Sequence, residues 1–424
     1  MTLSRRELVH LSLASAAGAL VPRTSAAQSP APAGDTPPAI DALRPLTDGV
    51  TPITLDEHRT RLARAQALMR GENLDAIVLA SGSGLDYFTG AEWGLSERFF
   101  GAVITREGDP AWVTPAFEKA RALEQIQIGT DVRAWEEHES PSALVASILR
   151  ERGATGRVGI EEMMPFTFAN EIGAALPSAR LLSATPVTAG CRVVKDAHEL
   201  ALMRRANEIT MAAHRAVFQS LREGMTQSQV SALSAQAHRK LGMGGGALVL
   251  FGPDAAFPHG TTRPRPLRRG DVVLIDGGGR LHGYASDITR TGVFGAPPTE
   301  RQRQVWDVVR RAQQAAFDTA KPGVEAQAVD AAARRVVDEA GFGPGYKHFT
   351  HRVGHGIGMD GHEWTYFVRG NTTKLRPGMC FSDEPGIYIP GEMGIRHEDC
   401  IFITETGAEN FTKWTGSPEE PAIV

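Results

Sequence analysis

The chain has 424 residues, of which 42% are hydrophobic, and its 45 Lys and Arg against 49 Asp and Glu give a formal charge of −4. This length is enough for two domains with separate cores, and the near balance of charge argues against nucleic acid or a membrane surface as a partner. Three cysteines are too few for a disulfide framework and too scattered for a cysteine-type zinc site, so we expect Cys191, Cys380 and Cys400 to be small buried side chains.

The first 27 residues have the pattern of an export signal. Arg5 and Arg6 precede an apolar run over 11–21, which is shorter than the roughly 20 residues needed to span a bilayer, and small residues up to Ala27 form a cleavage pattern. The arginine pair predicts a twin-arginine signal and a periplasmic protein, with a general secretory signal as the alternative. Residues 28–50 are rich in Pro and Ala and are predicted to be a linker, disordered to about residue 48.

Residues 51–190 alternate between helical and strand patterns. Apolar spacing predicts helices over 59–70 and 142–152, and short apolar runs predict strands over 76–80, 101–105, 110–114 and 157–161. Such alternation is typical of a small α/β domain. Its Gly-Ser segment, 81–84, is predicted to be a plain turn, and its motifs include no nucleophile, metal cluster or phosphate loop.

Residues 191–424 are predicted to form the second domain, which makes the whole chain an α+β protein. Helices are predicted over 197–221, 227–241, 300–320 and 325–340, and strands over 247–251, 272–278, 285–294, 379–389 and 398–405. Helices on one face of a curved, largely antiparallel sheet would leave the opposite face open as a cleft.

Two aspartates stand at the ends of a predicted hairpin in this second domain. Asp276 ends the apolar strand VVLID before Gly277-Gly278-Gly279, and Asp287 begins the return strand. A carboxylate at the end of a buried strand is costly unless a cation meets it, and two carboxylates this close repel unless a metal neutralises them. The pair alone suits two exposed turn residues equally well.

Three further residues in the last quarter of the chain complete a metal-ligand set. His355 lies between two glycines, Glu384 ends a strand before a Pro-Gly turn, and Glu398 shares a strand face with Arg396. Four carboxylates and one imidazole suit a pair of divalent metal ions, which need oxygen ligands and bridging carboxylates. The set predicts a metal-dependent hydrolase.

The surrounding motifs resemble one protein family. The segments PHG (258–260), GYASDITRT (283–291), GHGIG (354–358), EPGIYIP (384–390) and GIRHED (394–399) are similar to those of the pita-bread metallopeptidases, in the branch of aminopeptidase P and prolidase. The resemblance implies a creatinase-like N-terminal domain at 51–190 and a pita-bread catalytic domain at 191–424. The matching ligand positions argue against a metal-free creatinase and against a non-catalytic binding protein.

The resemblance also implies a role for each ligand. Asp276 would chelate one ion, Asp287 and Glu398 would bridge the pair, and His355 and Glu384 would complete the ligand shell of the second ion. The nucleophile would be a hydroxide bridging the two metals, with Glu384 as its general base. Oxygen-rich ligation with one histidine fits manganese, which we favour, as well as cobalt, zinc or iron.

Three more residues match positions that handle the substrate in this family. His259 would shuttle a proton to the leaving nitrogen, and His362 would bind the scissile carbonyl or the tetrahedral oxyanion. Arg396 would support a bridging carboxylate or bind substrate. The plainer interpretations are a turn residue for His259, a surface histidine for His362 and an ordinary salt bridge for Arg396.

One segment departs from the family pattern. The family often continues after the second histidine as His-Glu-x-Pro, whereas this chain reads His362-Glu363-Trp364-Thr365-Tyr366. We predict hydrolysis of proline-containing peptides, by an aminopeptidase or a dipeptidase, in a homodimer. The altered segment keeps open a lyase or amidohydrolase for a small zwitterion, because fold alone does not fix function. Trp364 and Tyr366 would form an aromatic wall near the cleft.

Overall fold

The computed structural model describes residues 36–422 of the chain. The predicted export signal, residues 1–27, lies outside the described residues, as does the first part of the linker. The predicted disorder is wrong from Pro38 onward, because helix α1 (Pro38–Asp41) buries Ile40 completely and the Leu46 N–H donates to the Leu241 carbonyl. Among residues 36–422, no helix combines the length and apolar character that a membrane span requires.

The first half of the described chain forms a layered α/β domain. Its helices are α2 (Leu55–Gly71), α3 (Ser83–Thr89), α4 (Lys119–Gln125, after a 3-10 turn at Ala116–Glu118), α5 (Pro141–Glu151), α6 (Phe166–Ala175) and α7 (Thr185–Arg192). Its strands are β1 (Ala76–Ala80), β2 (Gly101–Thr105), β3 (Ala111–Pro115), β4 (Val132–Trp135), β5 (Arg157–Ile160) and β6 (Arg180–Ser183), joined in one sheet in the order β4-β3-β2-β1-β5-β6.

Strand β1 shows why this half is layered. Its alternate residues face opposite sides, so that Ile77 and Leu79 pack in the cluster that contains Leu62 of α2, whereas Val78 packs in the cluster that contains Ile148 of α5. Both faces are buried, which accounts for the continuous apolar run in the sequence. The predicted turn at 81–84 is wrong in part, because Ser83 begins helix α3.

The second half contains the predicted helices, each within one residue of its expected ends. They are α8 (Ala197–Ser220), α9 (Gln227–Lys240), α10 (Glu300–Thr319) and α11 (Ala326–Glu339). The strands are β7 (Gly244–Phe251), β8 (Val272–Leu281), β9 (Tyr284–Ala285), β10 (Ile288–Val293), β11 (Gly354–Gly356), β12 (Glu363–Phe367), β13 (Cys380–Asp383), β14 (Gly386–Ile389), β15 (Met393–Arg396), β16 (Asp399–Ile403) and β17 (Ala408–Asn410), with a 3-10 turn at Gly252–Ala256.

Antiparallel pairing joins all of these strands. One sheet has the order β10-β8-β7 with β9 beside β8, another has the order β12-β11-β13-β16-β17, and β14 pairs with β15. A bridge between Thr289 and Glu398 connects the first sheet to the segment before β16. Helices α8 and α9 pack on β7 and β8, and α10 and α11 cover the strands that follow. The predicted fold, helices over a largely antiparallel sheet, is confirmed.

One local expectation about β8 is wrong. The strand does not end at Asp276 but continues through the three glycines to Leu281. A Cβ atom on Gly278 would lie 1.9 Å from the carbonyl oxygen of Ser286, so only glycine lets the two backbones come this close. The glycines therefore maintain close pairing in the strand and do not terminate it.

Candidate metal centre

Asp276 and Asp287 enter the centre from neighbouring strands. Asp276 is in the middle of β8 and pairs in register with Thr289 of β10, while Asp287 lies in the break between β9 and β10. The Thr289 hydroxyl lies 2.8 Å from Asp276 Oδ1 and 2.6 Å from Glu398 Oε2, so it can donate to either carboxylate. Cys400 Sγ lies 3.2 Å from the Asp287 carbonyl oxygen and holds the break in place.

His355 is fixed with one ring nitrogen facing the carboxylates. Its backbone N–H donates to Ser382 Oγ (3.0 Å), and its Nδ1 lies 3.1 Å from the carbonyl oxygen of Gly356. Because a carbonyl only accepts, Nδ1 carries the proton, and Nε2, which lies 3.3 Å from Glu384 Oε1, keeps a lone pair that could bind a metal ion. Gly354 permits this approach, since a Cβ there would lie 2.0 Å from the Ser382 carbonyl oxygen.

Glu384 and Glu398 reach the centre from the ends of strands. Glu384 follows β13, and Ser382 Oγ donates to its Oε1 at 3.2 Å. Glu398 lies between β15 and β16, and its backbone exchanges hydrogen bonds with Thr289. The predicted alternation is confirmed, because Arg396 and Glu398 face the centre whereas Asp399 faces the buried side chain of Arg290 at 2.6 Å.

The five predicted ligand residues converge. Within each of three overlapping groups, one ligand atom per residue lies within 4.8 Å of the others. The groups are Asp276–Asp287–Glu398, His355–Glu384–Glu398 and Asp287–His355–His362. The five predicted ligands supply four carboxylates and one imidazole, a set that suits divalent metal ions. The donor set therefore fits the metal pair that the sequence predicts.

Electrostatics also favour a bound cation. Burial raises the pKa of Asp287 well above its ordinary value, and repulsion from Asp276 and Glu384 raises it further. Burial, with repulsion from Asp287, likewise raises the pKa of Glu398, and burial with repulsion from Asp276 raises that of Glu384 to about 7. Divalent cations would relieve this repulsion and keep the carboxylates ionised.

The guanidinium group of Arg396 is positively charged and donates a hydrogen bond directly to a ligand carboxylate. Burial alone would raise the pKa of Asp276, but the Arg396 guanidinium and the hydrogen bond from Thr289 lower it. Arg396 Nη2 donates to Asp276, and Nη1 donates to Tyr388 Oη at 2.8 Å. Two roles were predicted for Arg396, support of a bridging carboxylate and binding of substrate. Its geometry matches the support of a carboxylate, but the carboxylate is Asp276, which was not predicted to bridge.

A chain of hydrogen-bonded polar side chains extends from Arg396 through Tyr388 to the half-buried His351. Tyr388 Oη accepts from Arg396 and lies 2.7 Å from His351 Nε2, while His351 Nδ1 lies 2.7 Å from the Arg352 carbonyl oxygen. Burial lowers the pKa of His351 to about 3, so the ring is neutral with its proton on Nδ1. Tyr388 therefore donates to His351 and holds the arginine in position.

His362 and His259 occupy the exposed side of the centre. The His362 ring stacks on His355 with 3.8 Å between ring centroids. Burial lowers the pKa of His362, and the nearby charges of Arg352 and His259 lower it further. His259 is exposed, one residue after Pro258, whose carbonyl accepts from Arg396 Nη1 at 3.4 Å.

Glu363 anchors the loop that carries His362. Its carboxylate accepts from the backbone N–H of Met359 (2.9 Å) and pairs with Arg192 of α7 and with Lys195 (2.9 Å). Burial would raise the pKa of Glu363, but these two cations lower it to about 2. Two cations at the junction of the two domains therefore hold the histidine side of the centre in position.

Sequence reasoning missed four residues of the site, namely Thr289, His351, Arg352 and Tyr388. Thr289 could have been found by strand alternation, because it lies two residues after Asp287 and shares its face. His351 and Arg352 lie just before the GHG motif and Tyr388 lies in EPGIYIP, but nothing in their spacing indicates that they meet. The predicted burial of the cysteines is confirmed.

Comparison with known proteins follows the same division of the chain. Family models match at residues 61–194 (Creatinase/Prolidase N-terminal domain) and 201–405 (Metallopeptidase family M24). The chain is 39% identical to the probable dipeptidase PepE of Mycobacterium tuberculosis, over 82% of this chain and 92% of that protein. It is 34% identical to the Xaa-Pro dipeptidase of Lactobacillus delbrueckii subsp. lactis, over 83% and 96%. The crystal structure of dipeptidase PepE from Mycobacterium ulcerans superposes with a TM-score of 0.80 and 35% identity, over 88% and 99%.

Proposed function

We propose that this chain, which belongs to metallopeptidase family M24, hydrolyses the peptide bond that precedes proline. Membership rests on relatives at least 30% identical that match over nearly their whole length, and it makes the chain a metal-dependent peptidase. The observation that supports the site is the convergence of Asp276, Asp287, His355, Glu384 and Glu398 from separate strands. Because these relatives are named dipeptidases, we propose that this chain acts on dipeptides in preference to longer peptides.

The five ligands would hold two divalent metal ions, for which manganese is our first choice ahead of cobalt, zinc and iron. When bound, such ions act as Lewis acids that polarise a carbonyl and acidify a water molecule. Glu384 suits the general base, because burial and the repulsion from Asp276 raise its pKa to about 7 and let it accept a proton near neutral pH.

The two exposed histidines handle the substrate. His362, whose lowered pKa keeps its ring neutral, would donate a hydrogen bond to the scissile carbonyl and stabilise the developing oxyanion. His259, at the solvent side, would supply the proton to the leaving nitrogen. Arg396 is buried and orients Asp276, so its contribution would be indirect.

Product analysis tests this proposal. Protein loaded with Mn²⁺ is incubated with Ala-Pro, Ala-Pro-Ala and Ala-Ala, and products are identified by mass. We expect free alanine and proline from Ala-Pro, no cleavage of Ala-Ala, and no activity in the Asp287→Asn variant. Cleavage of the tripeptide alone would indicate an aminopeptidase, and inertness of the loaded protein towards both proline substrates would contradict the proposal.

We also propose that the chain is exported as a folded protein and assembles as a homodimer. The Arg5-Arg6 pair and the apolar run after it support twin-arginine export. Replacing both arginines with lysine should retain the protein in the cytoplasm. Light scattering of the purified protein measures the mass of the assembly.

A further inference from the structure

A buried tyrosine near the metal centre is hydrogen-bonded to both halves of the chain. Tyr284 lies on β9, which is only two residues long. Its hydroxyl accepts from Arg61 Nη2 at 2.7 Å and donates to Glu199 Oε1 at 2.8 Å. Arg61 belongs to α2 of the first domain and Glu199 to the first turn of α8. The hydroxyl therefore joins three elements that are distant in the sequence.

These three side chains form a closed network inside the protein. Arg61 Nη2 also lies 3.4 Å from Glu199 Oε1, and both side chains are buried. Burial raises the pKa of Tyr284 and the charge of Glu199 raises it further, so the hydroxyl keeps its proton and can donate to the carboxylate. Hydrogen bonds to charged partners are stronger than those between neutral groups. The network therefore holds the Tyr284 ring in one place.

The position of Tyr284 in the chain connects this network to the metal centre. Tyr284 precedes the ligand Asp287 by three residues. Strand β9 pairs with β8, which carries the ligand Asp276. The chain leaves β9 after Ala285 and enters β10 only at Ile288, so Asp287 lies in a short break between strands. A shift of β9 would move Asp287 relative to Asp276.

The break itself is held from two further directions. Ser286 Oγ lies 2.8 Å from Thr210 Oγ1 of α8, and the Ser286 backbone N–H donates to the Gly279 carbonyl of β8 at 3.0 Å. The Ala285 backbone N–H donates to the Gly358 carbonyl at 2.7 Å. Arg61 adds a contact from the first domain to these contacts within the second.

We propose that Arg61 and Tyr284 are positioning residues for Asp287, through which the first domain holds the metal centre in its binding geometry. The inference rests on the metal pair of the proposed function, but on no particular substrate. The plainer alternative is that the network only fastens the two domains together. That alternative predicts lower stability with unchanged metal affinity.

The test compares two tyrosine variants, Tyr284→Phe and Tyr87→Phe. Tyr87 is the matched control, because it is 2% exposed against 1% for Tyr284 and the Arg61 guanidinium lies 4.1 Å from its ring centroid. Its hydroxyl donates to the Cys191 carbonyl at 3.1 Å, away from β9. Both variants should lower the melting temperature of the metal-free protein. Calorimetric titration with Mn²⁺ should show affinity about tenfold weaker in Tyr284→Phe and unchanged in Tyr87→Phe.

A second comparison tests the part played by the first domain. Arg61→Met should also weaken Mn²⁺ binding. The double variant with Tyr284→Phe should bind Mn²⁺ no more weakly than the poorer single variant, because the two residues act through one network. If Arg61→Met does not fold, Arg61→Lys replaces it, since lysine keeps the charge but cannot donate to both Tyr284 Oη and the Tyr87 carbonyl.

Three results would overturn the inference while leaving the proposed function intact. They are wild-type Mn²⁺ affinity in Tyr284→Phe, an equal loss of affinity in Tyr87→Phe, and additive losses in the double variant. A wild type that binds no Mn²⁺ would overturn both the metal centre and this inference. A wild type that binds Mn²⁺ but cleaves no proline peptide would contradict the proposed function alone, and the affinities of the variants would still decide the role of the network.

Discussion

Arg396 and Asp276 form an ion pair at the back of the metal centre, with side chains that are 4% and 20% exposed. Replacing Arg396 with methionine removes the cation that lowers the pKa of Asp276 and leaves a partly buried carboxylate without its partner. Breaking such a pair costs about 3–5 kcal/mol. We expect Arg396→Met to lower the melting temperature and the metal content, both measured on the purified protein.

A lysine at the same position separates charge from geometry. Arg396→Lys retains the cation but cannot donate to both Asp276 and Tyr388 Oη as the guanidinium fork does. We expect intermediate metal content and activity. Wild-type metal content in Arg396→Met would show that the pair does not support the ligand.

Thr289 offers a sharper test of ligand positioning. Its hydroxyl contacts Asp276 and Glu398 while its side chain is fully buried. Removing such a supporting contact reduces metal affinity about 10–100-fold. Thr289→Val, which keeps the shape, should show this loss in a Mn²⁺ titration, and Thr289→Ser, which keeps the hydroxyl, should not. Equal affinity in the two variants would contradict the assignment.

Helices and strands whose apolar residues recur with the period of the element could be predicted from the sequence. The helix around Leu62 and the strand 76–80 follow from apolar spacing, because their burial is set by the period of the element. The ligand set followed from chemistry and family motifs. The continuation of β8 beyond Gly278 could not be predicted, because a glycine that permits close pairing and one that ends a strand look alike in a single sequence.

Long-range contacts lie beyond such patterns. Tyr388 and His351 meet through a fold-dependent approach of β14 to the segment before β11, and no local period encodes it. A pocket lined by Met163 and Ala189 of the first domain and by Trp364 and Tyr366 of the second depends in the same way on how the two domains pack together. The sequence predicted an aromatic wall at Trp364 and Tyr366 but not the first-domain residues that complete it.

Metal removal should destabilise the protein as well as inactivate it. Asp287, Glu384 and Glu398 repel one another, since burial and mutual repulsion raise their pKa values, and bound cations would relieve this cost. A ligand that binds only the folded state at 100 times its Kd stabilises it by about 2.7 kcal/mol. Chelator treatment should therefore lower the melting temperature, and added Mn²⁺ should restore it. In Glu384→Gln, the chelator should lower the melting temperature by less than in the wild type. A wild type with the same melting temperature with and without chelator would contradict the prediction.

An ion pair between the two domains predicts a pH-dependent stability that can be separated from the metal site. His198 Nδ1 lies 2.7 Å from Glu57 Oε1, and its Nε2 lies 2.9 Å from the Thr51 carbonyl oxygen. Both partners accept, so the ring is satisfied when both nitrogens carry protons. Burial opposes this charge, but the hydrogen bonds to Glu57 and Thr51 raise the pKa of His198 above 6.5.

Glu57 is shifted in the opposite direction. Burial would raise its pKa, but hydrogen bonds from Thr54 and His198 lower it from 4.5 to about 2. The contribution of Glu57 is complete above pH 4.5 and is lost as the pH falls towards 2, whereas that of His198 is complete below pH 6.5 and is lost as the pH rises through its folded value. Both contributions are therefore complete between about pH 4.5 and 6.5.

Glu57→Gln isolates this pair because glutamine also suits the third position of the helix and preserves the cap with Thr54. The partly exposed pair contributes at most about 1 kcal/mol, so at pH 5.5 the variant should melt about 1 °C below the wild type, because the shift per kcal/mol falls as the chain lengthens. At pH 8.5, where His198 is losing its proton, the difference should shrink. Glu124→Gln, an exposed acid on α4, is the control and should melt like the wild type at both values. A difference that stays constant from pH 5.5 to 8.5 would show that His198 is not charged in the folded protein.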